Sequence, residues 1–108
     1  MHLAEATWTD ADAADADLAV LPVGSTEQHG PHAPLGTDVL TAEAVAERGA
    51  DRYESETDES VVVAPPIPVG VAEEHRQFTG TLWVSEDTFR DYVRETVESL
   101  QSHGWRRV

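Results

Sequence analysis

Between residues 25 and 38 the chain reads STEQHGPHAPLGTD, and this short stretch holds a glutamate, two histidines and an aspartate. Glu27 and His29 are two residues apart, so an extended backbone sends both side chains to the same side. Asp38 follows, and Gly30, Pro31, Pro34 and Gly36 stiffen and bend the intervening segment so that its end can return toward its start. A carboxylate, an imidazole and a second carboxylate form a ligand set suited to Zn²⁺ or Mn²⁺. Three protein ligands with one open position make a catalytic rather than a structural site. The same residues also suit a plain polar loop, in which Glu27 accepts from backbone amides, the histidines face solvent and Asp38 caps a helix. The chain has no cysteine, so any metal depends on imidazole and carboxylate ligands.

A second group lies downstream, where His75 follows Glu73 and Glu74. His75 fits a role in positioning substrate or a neighbouring loop, and fits equally a surface histidine beside two solvated acids. Gly80 and Thr81 suit either backbone amides presented to a pocket or a simple turn. His2 and His103 have no partners at useful spacing and read as surface residues. Trp8, Trp83 and Trp105 read as core or interface aromatics. No EF-hand spacing occurs among the acids.

The elements that must position these groups follow from the apolar pattern. Thr9 or Asp10 is placed to cap a short Ala/Asp-rich helix over residues 9–17. LAVLPVG, residues 18–24, has the continuous apolar run of a strand buried on both faces. From Thr37 the period becomes 3.6, with Val39, Ala42, Ala46, Gly49 and Tyr53 on one face and Asp38 in the first turn, where the helix dipole favours a carboxylate. ESETDES, residues 54–60, reads as a charged surface loop, and VVVAPPIPVG, residues 61–70, as a second buried strand stopped by its prolines. Ser85, Glu86 and Asp87 open another helix, whose stripe is Phe89, Tyr92, Val93, Thr96, Val97 and Leu100, closed by Gly104. WRRV then starts a third strand. This alternation predicts an α/β fold with right-handed crossovers and a mainly parallel sheet. The 14-residue loop falls beyond the carboxyl end of the first strand, where open α/β sheets bind ligands.

Length and charge set the outer bounds. The 108 residues suffice for one domain with a single core. Acidic residues number 21 against seven basic ones, all arginine, for a formal charge of −14. Such a surface excludes nucleic acid and anionic membrane as partners, because phosphate contacts need clustered cations. Dispersed carboxylates without lysine suit a solvated surface in high salt, which points to a halophilic source, the alternative being an ordinary acidic cytosolic protein. The N-terminal segment lacks a basic region and a long apolar run, so it reads as neither leader nor membrane span, and a cytoplasmic location is expected.

LPVGSTEQHGPHAPLGTD, residues 21–38, resembles the signature of the creatininase family of amidohydrolases, and EEHRQFTGTL, residues 73–82, resembles its second block. Together with the acidic, lysine-free composition, the resemblance suggests a haloarchaeal member. Thr79 stands where proline is usual, a departure that alters the turn and touches no ligand. The resemblance runs from about Trp8 to the C-terminus. It implies a three-layer α/β/α creatininase-like fold, of which residues 1–108 would be the N-terminal portion, ending before a glycine-rich histidine loop and a further glutamate that complete the metal set. It implies that Glu27 binds one metal, that His29 binds the other and that Asp38 bridges the two. His32 would lie behind the ligands or touch substrate, and His75 would stand near the site.

The expected function is therefore hydrolysis of a C–N bond in an amide, often a cyclic one, by a water activated at a binuclear Zn²⁺ or Mn²⁺ centre. The alternative is a non-catalytic piece that binds metal weakly or serves as an assembly partner, because two protein ligands per ion fall short of the usual three. The expected partners are a small-molecule amide and either further copies of this chain or a complementary C-terminal half. An uncovered half-sheet gives a physical reason to associate.

Overall fold

The computed structural model describes residues 1–108 throughout. In chain order the elements are α1 (Trp8–Ala13), β1 (Ala16–Val20), α2 (Thr37–Thr57), β2 (Ser60–Val63), a single 3₁₀ turn (Glu73–His75) and α3 (Glu86–Ser102). β1 and β2 pair in parallel, with Leu18 opposite Val61 and Val20 opposite Val63. Two further segments extend this pair without forming full strands: His2 pairs in parallel with Val63 on one side, and Arg107 pairs in parallel with Leu18 on the other. The second pairing is the incipient strand expected from WRRV. The first, made by the N-terminal residues, carries no apolar signal in the sequence.

Side-chain alternation divides the core between the two faces of the sheet. Val61 and Val63 pack with Ala46 and Ala50 of α2, joined by Leu18, Val20 and Tyr53. Val62, Ala64 and Ala19 point the opposite way, onto Leu100 of α3 and Trp105, with Leu3, Ala11, Ala16 and Leu21 at the margin. Helix, sheet and helix thus form three layers, and burying each valine of β2 contributes about 1.5–3 kcal/mol. The second face is thinly covered. Of the α3 stripe only Leu100 is buried, while Tyr92 is 56% exposed. Trp8 is 79% exposed, against 6% for Trp105, so only one of the three tryptophans is a core residue. The radius of gyration, 15.4 Å, exceeds the roughly 13 Å of a compact domain of this length.

Several boundaries differ from those expected. Thr7, not Thr9 or Asp10, caps α1, and Asp10 completes a reciprocal capping box with it. α2 runs on through the supposed charged loop to Thr57, because glutamate is a good helix former and Arg52 with Glu56 makes an i,i+4 pair. Asp58 then ends it in the left-handed conformation. The buried face of α2 passes through Ala50 rather than Gly49, which is exposed. Both strands are shorter at their carboxyl ends than the apolar runs suggested, since Pro22, Pro65, Pro66 and Pro68 break the ladder, leaving only the bridge between Val23 and Ile67. Ser85 caps α3 as expected, and Gly104 follows it with φ +100°.

Candidate metal centre

The Val23–Ile67 bridge carries the chain from the sheet into the loop. The Ile67 amide donates to the Pro22 carbonyl and the Gly24 amide to the Ile67 carbonyl, both at 2.9 Å. Beyond it, the Thr26 hydroxyl donates to Pro68 O at 2.8 Å, and the Leu82 amide donates to Thr26 O at 2.9 Å. The loop is thereby clamped between the segment after β2 and the segment before α3. Its return is closed by the Glu27 amide, which donates to Leu35 O at 2.9 Å. The bend expected from Gly30, Pro31, Pro34 and Gly36 is present, and Gly30 takes a φ of +70° that other residues rarely adopt.

This closure brings Glu27, His29 and Asp38 together, with one ligand atom from each within 4.8 Å of the other two. His29 Nδ1 lies 3.0 Å from the Glu27 carbonyl oxygen, which can only accept, so Nδ1 carries a proton. Nε2 is left facing Asp38 Oδ1 at 3.2 Å. That orientation, with one ring nitrogen tied to a backbone carbonyl and the other aimed at a carboxylate, is how metal-ligating histidines are held. All three groups are partly buried.

The electrostatics point the same way. Burial raises the Glu27 carboxyl above its ordinary range, and the neighbouring Asp38 carboxylate raises it further. The Glu27 carbonyl and then Asp38 raise the His29 imidazole, against an opposing effect of burial. Both shifts express one condition: the cluster holds positive charge more readily than separate side chains would. Two carboxylates and an imidazole nitrogen are also the donor chemistry of Zn²⁺ and Mn²⁺, so the residues present fit a divalent ion.

His75 joins a second group, in which Glu27, Glu74 and His75 also bring one ligand atom each within 4.8 Å of one another. Glu74, read from the sequence as a solvated acid, is the member that reasoning missed. It is exposed, and the 3₁₀ turn, which has no periodic signature, brings one of its carboxylate oxygens within 4.8 Å of ligand atoms of Glu27 and His75. Gln28 was missed as well. Its amide nitrogen donates to Thr81 Oγ1 at 3.3 Å, its Oε1 accepts from the Gly30 amide at 2.9 Å and its Nε2 lies 3.4 Å from His75 Nδ1. Thr81 therefore contributes its hydroxyl to the loop, while its amide closes the turn onto Phe78 O. Thr79 is accommodated in that turn, where Gly80 has φ +94°. His32 is exposed and belongs to neither group, and His2 and His103 are exposed too.

Fold and site together define an α/β protein with carboxylate–imidazole clusters beyond the carboxyl ends of two parallel strands. The family model described as creatininase, creatinine amidohydrolase, matches residues 4–108, and the chain belongs to the creatininase family. It is 48% identical over 65 residues to the mycofactocin precursor peptide peptidase of Mycolicibacterium smegmatis, covering 60% of this chain and 26% of that protein. It is 31% identical to the creatinine amidohydrolase of Pseudomonas putida over the whole of this chain and 42% of that one. A crystal structure of creatinine amidohydrolase superimposes with a TM-score of 0.84 at 30% identity, over 98% of this chain and 42% of that one. A manganese form of creatininase gives the same score, and a mutant described as Zn–Zn type gives 0.83. The chain thus spans less than half the length of the relatives it matches. No helix is long and apolar enough to cross a membrane.

Proposed function

We propose that residues 1–108 are the N-terminal portion of a creatininase-like domain and contribute to a metal-dependent amidohydrolase centre, with Glu27, His29 and Asp38 as its ligands. The observation that carries this reading is the convergence of those three side chains within 4.8 Å. Zn²⁺ or Mn²⁺ bound there would polarise an amide carbonyl and make a water acidic enough to attack it near neutral pH. The chain's own residues do the rest. The Glu27 carbonyl fixes the His29 ring so that Nε2 faces the centre, and Asp38, in the first turn of α2, stands between His29 and Glu27. His75, steadied by Gln28, positions substrate beside Glu27, and His32 reaches substrate from the exposed rim. The substrate class is a small amide, cyclic or peptide, and the location is cytoplasmic.

A second reading, that the chain works as an assembly partner, is favoured by the thinly covered stripe of α3, where Tyr92 is exposed and only Leu100 is fully buried, and by the large radius of gyration. Further copies of the chain, or a complementary C-terminal half, would cover that stripe. Hydrolysis of creatinine and of a short peptide by the 108-residue chain with Zn²⁺ or Mn²⁺ separates the two. Turnover lost in Asp38→Ala supports the enzyme reading for this chain alone. Metal uptake without turnover supports the assembly reading, and absence of both removes the metal assignment.

A further inference from the structure

Gln28 stands between Glu27 and His29 in the chain and joins neither of the carboxylate–imidazole groups. Its side chain is fixed at both ends: Oε1 accepts from the Gly30 amide at 2.9 Å, and Nε2 lies 3.4 Å from His75 Nδ1. A backbone amide can only donate, so the atom that meets the Gly30 amide must be the carbonyl oxygen; an inverted side chain would set two donors against each other. The group that faces His75 is therefore the NH₂, which has no lone pair to offer. His75 Nδ1 must accept, and the proton of the neutral ring sits on Nε2.

We propose that Gln28 is a positioning residue that holds His75 in the Nε2–H tautomer, so that His75 donates a hydrogen bond to the amide oxygen of the substrate. The proposal rests on the amidohydrolase reading for the chemistry of the substrate. It deepens that reading by giving the His75 ring a polarity: the substrate group it meets is an acceptor, not an N–H.

His29 supplies the contrast. Its Nδ1 donates to the Glu27 carbonyl, and its Nε2 is turned toward the centre. His75 has the opposite arrangement, because its Nδ1 faces a donor instead of a carbonyl. The two imidazoles near Glu27 thus offer different things, one a lone pair suited to a cation and the other an N–H suited to an oxygen. The hydrogen bond to Gln28 is the only one that the His75 ring makes within the chain, so Nε2–H is left for a ligand. A ring nitrogen of His75 also lies within 4.8 Å of the Glu27 carboxylate, which sets the ring beside the centre.

Both partners are held in place from behind. Gly30 has its φ of +70° where its amide meets Gln28 Oε1. The Gln28 backbone amide donates at 3.3 Å to the hydroxyl of Thr81, which is only 6% exposed, and the Thr81 amide donates to Phe78 O at 3.1 Å. The His75 amide donates to Ala72 O and the Phe78 amide to His75 O, both at 3.0 Å, and the Phe78 ring meets the His75 ring edge-on at 6.3 Å between centroids. A donor oriented in advance loses little freedom on meeting its acceptor.

The test is two-bond proton–nitrogen correlation spectra of the histidine rings in the metal-free 108-residue chain, recorded above the pH range in which imidazoles titrate, with acetamide then added as the probe. The native chain should show His75 protonated at Nε2 and His29 at Nδ1. Gln28→Glu puts a carboxylate, which can only accept, against His75 Nδ1 and should move the proton to Nδ1. Gln28→Met offers no donor and should let both tautomers of His75 appear. His29 should keep its own tautomer in both variants, which a general disturbance of the loop would not allow. Acetamide should shift the His75 Nε2 resonance in the native chain and lose that effect in Gln28→Glu. A native His75 protonated at Nδ1, or a tautomer unchanged in both variants, overturns the role of Gln28; the native spectrum alone decides this if a variant does not fold. A His75 resonance that acetamide leaves unmoved overturns the donor role. Because the spectra need no metal, a failure of Zn²⁺ uptake removes the ligand assignment and leaves the tautomer standing, and a reversed tautomer leaves the ligand assignment untouched.

Discussion

Gly24 lies flush against the backbone of Val39: a β-carbon on Gly24 would stand 2.7 Å from both the Cα and the amide nitrogen of Val39. Val39 follows Asp38 in the first turn of α2, so this close approach seats the helix start beneath the loop that carries Glu27 and His29. Gly24→Ala must push the helix start away, and overpacking of this kind costs about 1–3 kcal/mol. The expected result is a lower melting temperature together with weaker Zn²⁺ binding, although residue 24 touches no ligand. Thermal unfolding and calorimetry on one preparation check it. A variant with native affinity would show that Asp38 is not placed by this contact.

Asp38→Asn tests the ligand assignment directly. It keeps the shape of the side chain and the start of α2, but it removes the charge that faces both His29 and Glu27. Zn²⁺ affinity should fall by more than about 100-fold, beyond the roughly 10–100-fold that follows loss of a supporting hydrogen-bond partner alone. The melting temperature of the metal-free protein should change little or rise, because the carboxylate that raises Glu27 is gone. Calorimetry and a thermal melt in chelator measure the two effects separately.

The ligand loop was legible in the sequence because its signals are local. Spacing of two placed Glu27 with His29, and the Gly and Pro residues between them and Asp38 marked a segment that bends back. The sheet layers were legible for the same reason, since Val61 and Val63 alternate with Val62. What the sequence hid depends on long-range contacts. Nothing near His2 announces a pairing with Val63, and nothing near Glu74 shows that this exposed acid comes within reach of Glu27. The end of α2 is hidden differently: a run of charge suits a loop and an exposed helix end alike, and here Glu54 and Glu56 serve the helix, while Glu54 also accepts from the Val61 amide at 2.7 Å to lead the chain into β2.

Proton uptake sets a pH dependence whose sign is fixed. Glu27 and His29 bind protons more tightly in the fold than at their ordinary values of 4.5 and 6.5. A raised value contributes stability that is fully present below the ordinary value and lost as pH rises through the folded one. The metal-free chain should therefore lose melting temperature first above pH 4.5, through Glu27, and again above pH 6.5, through His29. Asp17, held down mainly by Arg106, and Glu59, held down mainly by Tyr53 and then Arg107, act oppositely, and their contribution is lost only in acid. Cation binding must expel the protons on Glu27 and His29, so Zn²⁺ affinity rises with pH across the same range. Calorimetry in buffers of different ionisation enthalpy counts the protons released, and a count of zero at pH 6 contradicts the assignment.

Salt should stabilise this chain. With 21 acidic residues against seven arginines, the net charge of −14 opposes the compact state. Salt also weakens attractive pairs, and several are present, including Arg52 with Glu56, Arg90 with Glu86 and Arg107 with Glu59. The balance follows from range. Each pair acts over a few ångströms and, being exposed, is worth at most about 1 kcal/mol. The repulsion acts across the whole surface and is largely removed once the screening length falls from about 8 Å in physiological salt to about 3 Å at 1 M. The melting temperature should accordingly climb by several degrees between 0.15 M and 2 M KCl. A flat or falling curve would mean that the local pairs dominate, and would remove the reason for reading this composition as halophilic.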